Sequence, residues 1–319
     1  MSEARAERAT VAGGWGGLGE VGRAPTLRAA LRTLGGALAR VAAFILLFAA
    51  VLLLLMAGIM SADAADASLG AIFLSSALML VAALGAGAAL IRWIDHRSVG
   101  ALGIALTERT RREVGIGLAI GAGALGVAVL LSLPAGLGYR GQDGTLVGWL
   151  GLLAGTFVGF AVAAFAEEVL FRGYPFQVLV RAIGAVAATL LLSALFAGAH
   201  AGNPEVGPIA LVNIFLAGVL LSVAYLRTGS LWFATAVHLG WNWSMASLFD
   251  LPVSGIALVD APFYEPVTGG AAWFTGGAFG PEGGVVGTIG FAAALLAVLR
   301  WPRLGMAPRM RALAPLING

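Results

Sequence analysis

Apolar residues in this chain gather into repeated blocks of roughly 20 residues and do not recur at the spacing of a soluble core. A helix needs about 20 apolar residues to cross the roughly 30 Å hydrocarbon core of a bilayer. We therefore predict an all-α fold, a polytopic membrane helix bundle of about eight transmembrane helices. The predicted spans are Val41–Met60, Leu69–Ile91, Val114–Leu133, Leu146–Ala166, Ala182–His200, Pro208–Leu226, Ser230–Phe249 and Gly284–Leu299.

The composition supports this fold class, because 60% of the 319 residues are hydrophobic and only 11% are charged. We predict one membrane domain over residues 38–300, with a motif core at residues 97–249. Residues 1–37 are predicted to form a loosely ordered basic tail in the cytoplasm, in which Thr26–Leu38 is a candidate for a short helix on the membrane surface. Residues 301–319 are predicted to be a second cytoplasmic tail. The absence of cysteine excludes disulfides and a cysteine nucleophile.

The basic residues predict the orientation of the chain, and all 19 of them are arginine. Eighteen fall on one side of the predicted spans, and only Arg140 falls on the other. Because cytoplasmic loops are enriched in Lys and Arg, we expect a multi-pass protein of a bacterial inner (plasma) membrane with both termini in the cytoplasm. The loop Asp250–Gly283 is then exterior, and we expect its aromatic residues to anchor at headgroup depth rather than to cap a cavity. These residues are Phe263, Tyr264, Trp273 and Phe274.

A few polar residues interrupt the apolar segments. Ionisable groups inside hydrocarbon cost at least about 2.5–3.5 kcal/mol each, so those that remain often mark a functional site. Residues four apart share a helical face, and this spacing relates Glu168 to Arg172 and His238 to Asn242. Taken singly, such residues also fit a structural ion pair, a helix cap or a hydrogen bond between helices. The set that we take as candidates is Glu167, Glu168, Arg172, His200, His238 and Asn242.

Three short motifs in this set resemble those of a known family. The stretch "EEVLFR" matches EExxxR, "FAGAH" matches FxxxH, and "HLGWN" matches HxxxN of the CPBP intramembrane proteases. That family includes the type II CAAX prenyl endopeptidases and bacteriocin-processing or immunity proteins. The upstream stretch "RSVGALGIAL" is also similar, so that the resemblance runs from Arg97 to Phe249.

The resemblance implies a role for each candidate residue. Glu167 would be the general base that activates a water together with His200, while His238 and Asn242 would stabilise the oxyanion of the tetrahedral intermediate. Glu168 and Arg172 would support the site. The chemistry is compatible, because a carboxylate beside an imidazole can accept a proton from water and return it to the leaving amine.

The sequence leaves two questions open: whether the site holds a metal, and how the chain runs from Glu167 to His200. A metal-free site is favoured, but one divalent metal such as zinc, held by Glu167, His200 and His238, is the alternative. A straight span from Ala182 to His200 would rise about 27 Å and separate His200 from Glu167. We therefore expect Pro175–Ile183 to form a lateral or re-entrant piece, or the boundaries of the spans to differ.

The sequence therefore predicts an intramembrane endopeptidase that acts on a membrane-associated or lipidated peptide. The alternatives are a non-catalytic immunity or scaffold protein of the same fold, and a transporter that uses the buried acids and histidines as a proton or cation relay. Membrane lipid and a membrane-associated substrate are the expected partners. Despite a pI of about 9.9, no nucleic acid is expected, because the arginines flank helices and lack interleaved aromatic residues.

Overall fold

The chain folds as an α-helical membrane protein. The computed structural model describes residues 27–59 and 69–318. Two short strands, β1 (Gly138–Gly141) and β2 (Tyr264–Val267), form an antiparallel pair. The helices are α1 (Leu27–Ile59), α2 (Leu69–Trp93), α3 (Thr110–Ser132), α4 (Leu146–Arg172), α5 (Tyr174–Ile183), α6 (Ala185–Ala199), α7 (Pro208–Thr228), α8 (Leu231–Trp243), α9 (Ala272–Thr275), α10 (Val285–Arg300) and α11 (Pro308–Ala312).

The predicted spans all coincide with helices, but the helices differ in length. Within the described residues, five helical segments are long and apolar enough to cross a membrane. They are Leu31–Ala57, Leu69–Trp93, Thr110–Ser132, Leu146–Ile183 and Pro208–Thr228. The other three predicted spans correspond to α6, α8 and α10, which have 15, 13 and 16 residues. Helix α8 tolerates this length because protein surrounds it: every residue from Phe233 to Trp241 is buried.

The first helix begins earlier than the sequence suggests. Helix α1 runs without interruption from Leu27, so residues 27–37, which fall in the predicted loosely ordered tail, are helical. They continue directly into the first apolar segment within the same helix. Residues 1–26 of the predicted tail, and Met60 at the end of the predicted first span, lie outside the described residues.

Helices α3 and α8 pack closely because glycine removes the side chains at their contact. A Cβ atom added at Gly121 would collide with the carbonyl oxygen of Val237, and one added at Gly240 would lie 2.5 Å from that of Leu118. Small residues let helix backbones approach each other, which is how bundles gain packing energy inside lipid. This contact fixes α8, which carries His238 and Asn242, against the rest of the bundle.

Two loop regions close the ends of the bundle. The β1–β2 pair holds the loop 250–283 beside the end of α8, where Tyr264 donates to the carbonyl of Leu248 (2.6 Å). Residues 301–318 pack elsewhere: the N–H of Leu316 donates to Gln177 Oε1 on α5 (2.9 Å), and Arg109 Nη1 donates to the carbonyl of Gly305 (3.2 Å). The segment 301–318 is therefore attached to the helices by specific hydrogen bonds.

Candidate active site

Gly173 and Gly184 separate the three helices that precede His200, and Gly184 interrupts the predicted span Ala182–His200. At Gly173 an added Cβ would collide with the carbonyl oxygen of Val169, and Gly184 has a φ of 83°, which favours glycine. The chain therefore leaves α4 at Arg172, forms the ten-residue helix α5, and enters α6. His200 follows directly after the last residue of α6. The sequence led us to expect either a lateral or re-entrant piece at Pro175–Ile183 or different span boundaries, and the structure has the separate helix α5 there.

The four residues predicted to be catalytic line one cavity of about 400 Å³. Glu167 reaches it from α4, His200 from the end of α6, and His238 and Asn242 from α8. Glu168 and Arg172 do not line this cavity. Most of its remaining wall consists of apolar side chains, so the polar groups are confined to one part of an apolar chamber.

Glu168 and Arg172 form a buried ion pair behind His238. Arg172 Nη1 lies 3.1 Å from Glu168 Oε1, and both side chains are at most 1% exposed. Arg172 Nη2 also donates to the carbonyl of Gly218 (3.1 Å), and its guanidinium lies 4.6 Å from the centre of the Phe196 ring. Arg172 therefore belongs to the interior of the bundle and is not one of the flanking charges that indicate orientation.

His238 is held at both ring nitrogens. Its Nδ1 lies 3.0 Å from Glu168 Oε1, and its Nε2 lies 3.0 Å from Nδ2 of Asn242. A neutral ring protonated at Nδ1 satisfies both contacts, because it donates to Glu168 and accepts from the amide of Asn242. Glu167 Oε2 lies 3.9 Å from His238 Nε2, beyond hydrogen-bond range. That oxygen is buried, and it has no hydrogen-bond partner among the described residues.

His200 is oriented by its own helix. Its Nδ1 lies 2.8 Å from the carbonyl oxygen of Phe196, one turn earlier, so this nitrogen carries the proton and donates. The other ring nitrogen, Nε2, is then the one with a free lone pair. The Phe196 ring lies 4.8 Å from the His200 ring and 6.3 Å from the His238 ring, measured between centroids. Phe196 thus contacts both histidine rings and also covers the guanidinium of Arg172.

Part of the chain matches the model of a known protein family. The model of the family described as Type II CAAX prenyl endopeptidase Rce1-like matches residues 149–244. The match covers less than half of the chain, and we refer to residues 149–244 as the Rce1-like domain because of this similarity. All six candidate residues fall inside it, as do most of α4 and the whole of α5 to α8. No curated protein and no solved structure matches the chain.

The Rce1-like domain does not arrange its acids and histidines as a metal site. Among the described residues, no group of three or more His, Asp or Glu side chains could hold a metal ion. The lone pair of His238 Nε2 faces the amide of Asn242, and its Nδ1 faces Glu168. Glu167, His200 and His238 share the cavity, but they do not form such a group among the described residues.

The cavity also has polar residues that sequence reasoning missed. Glu282, Ser254 and Asn203 line it together with Trp241. Glu282 and Ser254 lie outside the Rce1-like domain, on the loop 250–283, so this loop covers the cavity. The four aromatic residues of the loop that were expected to anchor at headgroup depth do not line the cavity. For Glu282, no regular spacing in the sequence relates it to α8. Its only signal in the sequence was an acidic residue directly before an apolar helix.

Proposed function

We propose that this protein is an intramembrane endopeptidase that hydrolyses a peptide bond of a membrane-associated or lipidated substrate. The observation that carries the proposal is the contrast between two adjacent carboxylates. Glu168 is fully buried and its Oε1 is shared by Arg172 and His238, whereas Glu167 is 28% exposed and lines a cavity that also contains His200, His238 and Asn242. A general base must be able to reach water, and Glu167 alone of the pair can do so.

In the proposed reaction, a water in the cavity loses a proton to Glu167 as its oxygen attacks the carbonyl carbon of the substrate. His200 helps to hold this water through Nε2, because its Nδ1 is engaged by Phe196. The tetrahedral intermediate then collapses, its C–N bond breaks, and Glu167 returns the proton to the leaving amine. The products are a carboxylic acid and an amine, and no other reactant is needed.

Asn242 is proposed to face the oxyanion. Its Nδ2 carries two hydrogens, and one of them donates to His238 Nε2, which leaves the second for the substrate oxygen. His238 holds the amide in place while Glu168 fixes the ring of His238. A donor that is already oriented stabilises developing negative charge without reorganisation during the reaction.

The walls of the cavity support a substrate that arrives from the bilayer. Ile72, Ser76 and Met79 on α2 line the cavity, and the same three residues line a neighbouring groove together with Leu52 and Met56 of α1. A peptide attached to a lipid, or part of a membrane segment, could pass along such an apolar path without exposing apolar surface to water.

The test compares membrane peptides from cells that carry the wild-type protein with those from cells that carry Glu167→Gln. The matched control is Glu265→Gln, which changes an exposed carboxylate on the loop 250–283. We expect peptides whose cleavage depends on Glu167 and is unchanged in the control. Identical peptide profiles in all three strains would contradict the proposal and favour a scaffold, and a proton or cation flux that depends on Glu167 would favour a transporter.

A further inference from the structure

Three donors converge on the side chain of Glu282. Trp241 Nε1 donates to its Oε1 (3.0 Å), while the N–H and the hydroxyl of Ser254 donate to its Oε2 (2.9 Å and 2.7 Å). Glu282 is only 5% exposed, and no arginine pairs with it in the described residues. A carboxylate suits this position because both of its oxygens accept hydrogen bonds. The amide of a glutamine would place its NH2 group, which is itself a donor, against either Trp241 or Ser254.

Ser254 lies at the tip of a tight turn that forms part of the cavity wall. Val253 and Ile256 exchange two backbone hydrogen bonds, each of 3.0 Å, around Ser254 and Gly255. Both central residues have positive φ angles, 50° and 85°, which is typical of a type I′ turn. A serine in the left-handed region is strained by roughly 1 kcal/mol, so the contacts around the turn must hold it in place.

This turn contacts both catalytic walls of the cavity. On one side, Asn203 Nδ2 donates to the carbonyl of Ser254 (3.0 Å), and the N–H of Asn203 donates to the carbonyl of His200 (3.0 Å). On the other side, Glu282 joins the turn to Trp241, which directly precedes Asn242 on α8. Trp241 is itself fixed by stacking on Phe291 of α10, with ring centroids 4.2 Å apart.

We propose that Glu282 is a positioning residue of the active site: by joining the Val253–Ile256 turn to Trp241, it sets the His200 wall and the His238–Asn242 wall at a fixed separation. The hydrogen bonds of the Glu282 side chain come from Trp241 and Ser254, and Glu282 is proposed to act through these two residues. Catalysis is sensitive to such spacing, because a misplacement of about 1 Å can reduce a rate about 10²-fold. The inference rests on the proposed function, since the walls are catalytic only if the protein is a protease.

The backbone around Glu282 is held independently of its side chain. Asn213 Nδ2 donates to the carbonyls of Glu282 and Gly284 (both 2.8 Å), and Thr288 donates to Asn213 Oδ1 (2.7 Å), which fixes the orientation of the amide. The β1–β2 pair holds the loop at a second point. Glu282→Gln therefore removes the side-chain link while these other attachments of the loop persist.

The experiment measures kcat and KM in membranes for the wild type, Glu282→Gln, Glu167→Gln and the control Glu265→Gln, on a peptide whose cleavage depends on Glu167. We expect Glu282→Gln to lower kcat by about 10-fold to 10²-fold with KM nearly unchanged, because the interaction acts on the geometry of the reacting groups. Ser254→Gly, which keeps the backbone N–H that donates to Glu282, should have a smaller effect. Wild-type kcat in Glu282→Gln would overturn the inference while leaving the protease proposal intact. Wild-type kcat in Glu167→Gln would instead overturn the protease proposal.

A second measurement is independent of activity. The chain has no cysteine, so Val253→Cys supplies a single thiol at a position that is 7% exposed. We expect a membrane-impermeant maleimide to label this thiol several-fold faster when Glu282→Gln is also present, because the turn has lost one of its attachments. An unchanged labelling rate, in protein with the normal thermal unfolding midpoint, would show that Glu282 does not hold the turn.

Discussion

Nδ1 of His238 lies 3.0 Å from Oε1 of Glu168, the same oxygen that lies 3.1 Å from Nη1 of Arg172. This shared oxygen connects α4 to α8 through a chain of buried polar groups. The chain continues from the ring of His238 to the amide of Asn242 at the cavity. A carboxylate that does not itself line the cavity therefore fixes the ring of His238, which in turn orients the amide of Asn242.

The pair Glu168–Arg172 should contribute to stability. Removing one partner leaves a buried charge without compensation, so Arg172→Ala should lower the free energy of unfolding by about 3–5 kcal/mol. Arg181→Ala on α5, where the arginine is exposed, is the matched control and should change it little. Thermal unfolding in detergent measures the difference. Normal stability of Arg172→Ala together with a complete loss of turnover would instead give Arg172 a direct chemical role.

The two adjacent glutamates should respond differently to the same substitution. Glu167→Gln keeps the shape of the side chain but cannot accept the proton, so turnover should fall by about 10²–10⁴-fold with the fold intact. Glu168→Gln should lower the unfolding midpoint as well, because it removes the charge that compensates Arg172. Turnover and thermal unfolding are measured on both variants. A Glu167→Gln protein that cleaves at the normal rate would leave the proposed reaction without its base.

Asn242→Ala should lower kcat by about 10²–10³-fold, which is the usual effect of removing one donor to an oxyanion. Single-turnover kinetics on the peptide identified above would measure this change. Since Asn242 is proposed to act in the transition state, KM should change much less than kcat. A rise in KM at constant kcat would show that Asn242 binds the substrate without stabilising the oxyanion.

Chelation should not abolish turnover, because the described residues offer no set of metal ligands and the proposed reaction uses only Glu167 and His200 to activate water. The measurement compares rates before and after dialysis against EDTA and a zinc-selective chelator. A loss of activity that zinc restores would place a metal in the reaction.

The loop 250–283 should face the exterior and both termini the cytoplasm, following the distribution of the arginines. The chain has no native cysteine, so a single cysteine in place of Glu265 or of Arg303 can be labelled specifically. Both positions are exposed, and they are expected to lie on opposite sides of the membrane. An impermeant maleimide should label the first in intact cells and the second only after permeabilisation. The opposite result would reverse the orientation.

The sequence by itself determined the fold class and the candidate set. Apolar blocks near the thickness of a bilayer predict helices because a backbone in lipid must satisfy its own hydrogen bonds. The spacing of four residues placed Glu168 beside Arg172 and His238 beside Asn242, since such pairs lie one turn apart on any helix. The three motifs identified the family that the match at residues 149–244 confirmed.

Only the tertiary structure decided how these local features are joined. Periodicity cannot reveal that helices α4, α5 and α6 are separated at Gly173 and Gly184, because these breaks depend on a backbone clash and a positive φ. It also cannot tell two adjacent glutamates apart: Glu168 contacts Arg172 and His238 inside the bundle, while Glu167 lines the cavity. Glu282 lies 41 residues from Trp241 along the chain, and only folding of the loop over the bundle brings the two into contact. Contacts between distant segments depend on packing in three dimensions, which local sequence patterns do not encode.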